Sequence, residues 1–279
     1  MIIIKLIDKI YTDLSGYNRL INFYHEAKNY HDDVIHICIK ELSWMDANFS
    51  ALLDAILHKL HKENRLTFTI DFELASSRFN VLLRNGFLKS ETPVLDVQNS
   101  TLPNMNFSID DQNPYIKYLE ERLLKHRAFP NKYHSEADSM IDQLIEIFCN
   151  SHHHSGTKYP FFVSGQYFPK GDCLIFTMVD LGEGFLPRIS KTDLSVQDSL
   201  QAIQWALKKG NSTKLTADQT PGGLGIASLL KYCSDRNGGI QIITGDGYWN
   251  SEDSGTIFPN GRKVNRPFVG TTVNLFLRR

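Results

Sequence analysis

The chain has 279 residues, 42% hydrophobic and 22% charged, with a formal net charge of -1. These values exclude a disordered or fibrous polymer, leave room for one large domain or two ordinary ones, and give no global pull toward nucleic acid or an anionic membrane. The four cysteines, Cys38, Cys149, Cys173 and Cys233, form no CxxC pair and sit in apolar segments, so they read as buried reduced thiols. No apolar run reaches the ~20 residues a bilayer span needs. The start "MIIIKLIDKI" is too short and too soon charged for a signal peptide, and the expectation is a soluble, cytoplasmic protein.

Residues 1–92 alternate strand and helix patterns. "MIIIKLI", "DVIHICIKEL" and "RLTFTIDF" read as strands. "GYNRLINFYHEAKNY" places Leu20, Phe23, Tyr24 and Ala27 at helical spacing. "NFSALLDAILHKLHKEN" is an amphipathic helix with Leu52, Leu53, Ile56, Leu57 and Leu60 on one face, and "ASSRFNVLLRNGFL" is a helix stopped at Asn85–Gly86. This alternation predicts an α/β layer with parallel pairing. Residues 93–113, with two prolines and many turn residues, are predicted to be a linker.

From 114 onward two helices come first, "PYIKYLEERLLKH" and "SEADSMIDQLIEIFCNS". Four strand patterns follow, "YPFFVSGQYF", "CLIFTMVDLG", "GIQIITGDGYW" and "GTTVNLFLRR", with helices at "LSVQDSLQAIQWALKKG" and "GIASLLKYCSDRNGG". Residues 114–279 therefore read as an α+β two-layer sandwich.

Three pieces of the second half carry chemistry. In "LIEIFCNSHHHSG", Glu146 and Asn150 stand four residues apart, one turn along one helix face. A carboxylate beside a carboxamide offers oxygen to a hard cation and can orient a water. Asp180 ends an apolar strand before Gly182 and Gly184, where it can accept a hydrogen bond from an exocyclic amine. In "TPGGLGIASLL" the glycine-rich turn opens a helix and exposes backbone N–H groups to an anion. Each signal alone is common.

Their order is less common. ExxxN on a helix, DxGxG ending a strand, a GGLG turn opening a helix and a final "GTTV" strand together resemble the GHKL ATP-binding fold (Bergerat fold) of gyrase-type ATPases, histidine kinases and anti-sigma-factor serine kinases, over roughly residues 136–279. The resemblance implies ATP and Mg²⁺ as cofactors. It implies Asn150 as the Mg²⁺ ligand, Glu146 as the group polarising a water or hydroxyl, and Asp180 as the acceptor for the adenine amino group. Gly182 and Gly184 would let the base approach, and Gly223, Leu224 and Gly225 would cradle the phosphates at the hinge of a lid over approximately 186–221. Thr271 would support the adenine side. Two departures stand out: Pro221 replaces the first glycine of the usual GxGLG, and no phosphoacceptor-histidine segment is present. Glu146 fits the gyrase and anti-sigma branches better than the histidine kinases.

The first half, from "VIHICIKELSWMDANFSALL" to "LLRNGF", is similar to a STAS domain, the fold of anti-sigma-factor antagonists. STAS proteins are substrates of GHKL serine kinases, yet Asn48 occupies the phosphoacceptor position and has no hydroxyl. Asn48 reads either as a helix N-cap or as part of a non-phosphorylatable docking face for the second half. The resemblance thus implies an ATP-dependent regulatory protein with a protein partner, in cis or in trans, with a homodimer as one arrangement and without nucleic-acid or membrane partners. Serine/threonine kinase or slow ATPase activity is one outcome and a non-catalytic interaction module the alternative. A metalloprotein built on His152, His153 and His154 is disfavoured, because helix neighbours diverge by about 100° and no HExxH or cysteine pairing accompanies them. His154–Ser155 instead matches the residues that close this helix in anti-sigma-type kinases, with His152 and His153 facing solvent or lid.

Overall fold

The computed structural model describes residues 1–131, 133, 137–153, 158–208, 214–215, 221–222, 225–253 and 261–279. The first half runs β1 (Ile2–Lys5), β2 (Asp8–Ile10), α1 (Leu14–Ala27), β3 (Val34–Cys38), β4 (Leu42–Met45), α2 (Ser50–Asn64), β5 (Thr67–Ile70), α3 (Phe72–Arg78) and α4 (Asn80–Arg84). The expected parallel layer is present: β1, β3 and β5 pair in that spatial order, with Ile4 opposite Ile37 and Ile37 opposite Ile70. A second parallel pair, β2 with β4, did not register in the sequence, because three or four residues are too few to show alternation. The helix expected at "ASSRFNVLLRNGFL" is two helices. Phe79 drops its ring into the core, takes non-helical angles and breaks the run. Asn85–Gly86 stops α4 as anticipated, with Gly86 at φ +79°.

The second half runs β6 (Thr101–Phe107), α5 (Gln112–Tyr118, continued by a π-helical turn to Leu124), α6 (Ala137–His153), β7 (Phe161–Phe168), β8 (Cys173–Asp180), α7 (Leu186–Thr192), α8 (Ser199–Ala206), β9 (Lys214–Leu215), β10 (Pro221–Gly222), α9 (Gly225–Ser234), β11 (Gly239–Asn250) and β12 (Gly261–Arg278). An antiparallel sheet forms in the order β11–β12–β8–β7–β6. The linker expectation for 93–113 therefore needs correction, since Thr101–Phe107 is an edge strand of this sheet. Pro103 disguised it. Lacking an N–H, proline is tolerated only at an edge or a bulge, and the register slips between Leu102 and Met105.

Alternation along β8 sends Leu174, Phe176 and Met178 to one face of the sheet. There they pack with Tyr115, Leu144, Phe148 and Leu229 beneath α5, α6 and α9. Val179, with Phe162 and Ile243, goes to the other face and shares a core with Tyr17, Leu20, Phe49 and Leu52 of the first half. Helices α1 and α2 thus lie between the small parallel sheet and the large one. This explains why α2 buries Ser50, Ala51, Ala55 and Lys59 as well as its leucine face. The molecule is four layers deep, and the large sheet is covered on both faces. Among the described residues no helix is long and apolar enough to cross a membrane.

Candidate functional site

Helix α6 is seated by Met140, Ile141, Leu144 and Phe148, whose ring stacks on Tyr115 with centroids 4.9 Å apart. That seating leaves Glu146 and Asn150 half-buried at the flank of the helix, one turn apart. The Oδ1 of Asn150 is buried and accepts no hydrogen bond among the described residues. Leaving a buried acceptor unpaired costs about 1–3 kcal/mol, so this atom calls for a partner beyond the described residues.

Asp180 ends β8 on the same sheet face as Phe176 and Met178, by alternation. Thr271 of β12 stands opposite Asp180, and Thr244 of β11 stands opposite Thr271, so the three form one row across three strands. The Gly182 N–H donates to Asp180 Oδ1 at 2.8 Å, and the Thr271 hydroxyl also hydrogen-bonds the carboxyl. Thr271 Oγ1 and Thr244 Oγ1 lie 3.3 Å apart, within hydrogen-bond reach, and Thr244 Oγ1 accepts from the Phe185 N–H at 3.1 Å. Burial raises the Asp180 carboxyl to about 6, and the bonds from Gly182 and Thr271 offset only part of that.

The backbone around this carboxyl is tight. Gly184 sits at φ +78°, and a Cβ there would stand 2.6 Å from Thr244 Oγ1. Gly270 sits at φ +125°, and a Cβ there would run into the Asp180 carbonyl. Glycine is required at both for steric and conformational reasons. Thr244 and Gly270 were not singled out in the sequence. Only the pairing register reveals them, since an isolated threonine or glycine inside a strand carries no signal of its own.

Four of the sequence-singled elements thus lie on one side of the large sheet. Helix α6 with Glu146 and Asn150, and α9 beginning at Gly225, pack against each other on the sheet face that carries Asp180 and Thr271. Gly182 and Gly184 follow directly from Asp180. Gly223, Leu224 and His154 lie outside the described residues, as do the side chains of His152 and His153. Among the described residues no group of three or more His, Cys, Asp or Glu could hold a metal. Within the stretch expected as a lid over 186–221, helices α7 and α8 build a small core from Ile189, Val196 and Ala202, and Ile203 is buried in the main one. Leu200 lies against Gly247 and Gly261, so α8 is packed on the sheet and α7 on α8.

The expected N-cap role of Asn48 is also replaced. The cap position before α2 is Phe49, without a side-chain bond. Asn48 is fully buried: it accepts from Thr12 Oγ1 at 3.1 Å and donates to Thr177 Oγ1 of β8 at 2.9 Å. It joins the two halves. Compared with known proteins, the chain matches no family model and no curated sequence, so the site is read from its own geometry.

Proposed function

We propose that the layer formed by α6, the end of β8 and the start of α9 binds Mg-ATP, in a regulatory protein of the anti-sigma-factor-kinase-like type. The observation that carries this is the buried Asn150 Oδ1, without a partner among the described residues, on the side of the sheet that carries the partly shielded Asp180 carboxyl. The donor set fits the group. Asn150 and Glu146 offer oxygen to a hard cation, as magnesium requires. When bound, Mg-ATP supplies a phosphoryl group whose charge the cation spreads.

The chain's own residues do the rest. Asn150 positions the cation through its amide oxygen. Glu146 orients a water or hydroxyl and takes its proton. Asp180, held by Gly182 and Thr271, accepts a hydrogen bond from an exocyclic amino group. Gly182 and Gly184 keep side chains out of the approach, and the glycine-rich turn of Gly223, Leu224 and Gly225 would take the phosphates, as its sequence before α9 suggests.

Transfer within the chain is not favoured. The stretch around Asn48 lies on the opposite face of the sheet, Asn48 lacks a hydroxyl, and Ser50 is fully buried between Asn104 and Ser164. The acceptor is therefore water or another protein, and the first half serves as backing rather than substrate. Calorimetric titration with ATP, with and without Mg²⁺, tests the reading. Wild type should bind in a magnesium-dependent way and Asp180→Asn should lose affinity; unchanged affinity in the variant overturns the pocket. Tightly bound ATP that stays intact with every candidate partner would leave the non-catalytic reading in place.

A further inference from the structure

Helix α2 and the small parallel sheet do not close fully on one another. Between them lies a cavity of about 390 Å³, within the range of small-molecule sites. Its inner wall includes Leu42, Met45, Ala75, Phe79 and Leu82, each nearly or wholly buried, so this is interior space rather than a surface dimple. The mouth is rimmed by apolar side chains that remain partly exposed, among them Leu57 and Phe87.

One charged group stands inside this apolar lining. Asp54, on α2, is partly buried, and its Oδ2 accepts from Asn104 Nδ2 at 2.8 Å. Its Oδ1 accepts no hydrogen bond among the described residues, and no cation pairs with it. Lys89 lines the cavity but is exposed and acts on Asp54 only at a distance. Burial raises the Asp54 carboxyl, with Asn104 and Lys89 pulling it back. An apolar chamber of this size with one carboxylate oxygen free of partners among the described residues is suited to a particular shape of molecule.

We infer that the cavity between α2 and the parallel sheet binds a compact amphipathic amine, its hydrocarbon body against the apolar walls and its amino group on Asp54 Oδ1. A carboxylate or phosphate head would meet Asp54 with like charge and find only the exposed Lys89 as a cation. A plain hydrocarbon would displace water from that oxygen and give it no partner in return. The seat also touches the second half. Asn104 belongs to β6, and its Oδ1 accepts from Ser50 Oγ at 2.9 Å while its N–H donates to the Asn85 carbonyl at 2.7 Å. An occupant bonded to Asp54 therefore bears on the edge strand of the large sheet. This inference is independent of the nucleotide reading.

The test compares n-octylamine, 1-octanol and octanoate as probes of one chain length on the full-length protein, by calorimetry and by chemical-shift changes at the lining residues. Octylamine should bind at least tenfold more tightly than octanoate, with shifts at Phe79, Leu82 and Phe87. Asp54→Asn should weaken octylamine about tenfold and leave octanol nearly unchanged, since hydrogen bonds to charged groups are worth about 1.5–3 kcal/mol. Leu57→Trp, which fills the mouth from a partly exposed position, should weaken octylamine and octanol together. Octanoate binding as tightly as octylamine, no binding by any probe, or octylamine affinity indifferent to Asp54→Asn overturns the inference.

Discussion

On the sheet face turned to the first half, Gln241, Asn274, Thr177 and Ser164 stand in a single row across four strands. Thr177 Oγ1 donates to Asn274 Oδ1, Asn274 Nδ2 donates to Gln241 Oε1 and to the Tyr17 hydroxyl, and Gln241 Nε2 reaches the Thr12 carbonyl. Ser164 closes the row with Ser50 and Asn85. Three residues further along β8, an odd step that reverses the face, lies the second row of Asp180, Thr271 and Thr244. Here the bonds leave capacity over, and Asn150, on the helix above this face, has an oxygen with no bond among the described residues. The same chemistry, hydroxyls and amides on a sheet, glues two layers on one side and waits on the other. Polar satisfaction separates structure from function in this molecule better than residue type does.

The largest expected effect tests the waiting face. If Glu146 takes a proton, Glu146→Ala should cut ATP turnover by about 100- to 10,000-fold while leaving ATP affinity close to wild type. A single-turnover assay beside a binding titration separates the two, and equal loss in both would assign Glu146 to binding. Next, Asp180→Asn should weaken nucleotide binding by roughly 10- to 100-fold, the value of a hydrogen bond to a charged acceptor.

The gluing face should answer in stability instead. Thr177→Val leaves Asn48 Nδ2 and Asn274 Oδ1 buried without partners, at a cost of about 1–3 kcal/mol for each. Urea denaturation should show the loss, with nucleotide affinity unchanged; the reverse pattern would erase the distinction between the faces.

A smaller effect follows from pH. The folded Asp180 carboxyl titrates near 6, above its unfolded value, so the native state holds more protons in that window. Stability from this group is therefore greatest below the unfolded value and declines as pH rises through about 6. Nucleotide affinity should move oppositely, rising through the same window as the carboxylate forms, and the difference between wild type and Asp180→Asn isolates it from titration of the nucleotide itself.

The smallest effect concerns an exception. Thr272, on the gluing face, has a buried hydroxyl with no partner among the described residues. Thr272→Val should be neutral or slightly stabilising, since it removes an unsatisfied group while keeping the shape. A loss above about 1 kcal/mol would mean that this hydroxyl is paired in solution, and would make the gluing face more complete than it looks.

Much of this architecture was legible in the chain. Long periodic segments such as those of α2, α6 and β8 fell where their spacing put them, because burial on one face imposes the period, whereas β12 begins at Gly261, nine residues before the run "GTTVNLFLRR" that reads as a strand. The failures have physical causes. β6 hid behind Pro103, β2 and β4 were too short to show a pattern, and Phe79 broke a helix for the sake of the core. Within the site, Glu146, Asn150 and Asp180 stood out because a motif joined them. Thr244 and Gly270 did not, since what they do depends on register across three strands. Asn48 misled for a related reason: its polar partners, Thr12 and Thr177, lie on other elements and no local rule points to them.

The edge strand β6 has a last consequence. The chain leaves α4 and at once adds a strand to the far sheet, while Phe162, Val179 and Ile243 of that sheet complete the core around Tyr17 and Leu52. A cut anywhere between 92 and 114 would strip that sheet of a strand or of an apolar cover. What reads along the chain as two modules should melt in one cooperative transition, and neither fragment should hold its shape when expressed alone.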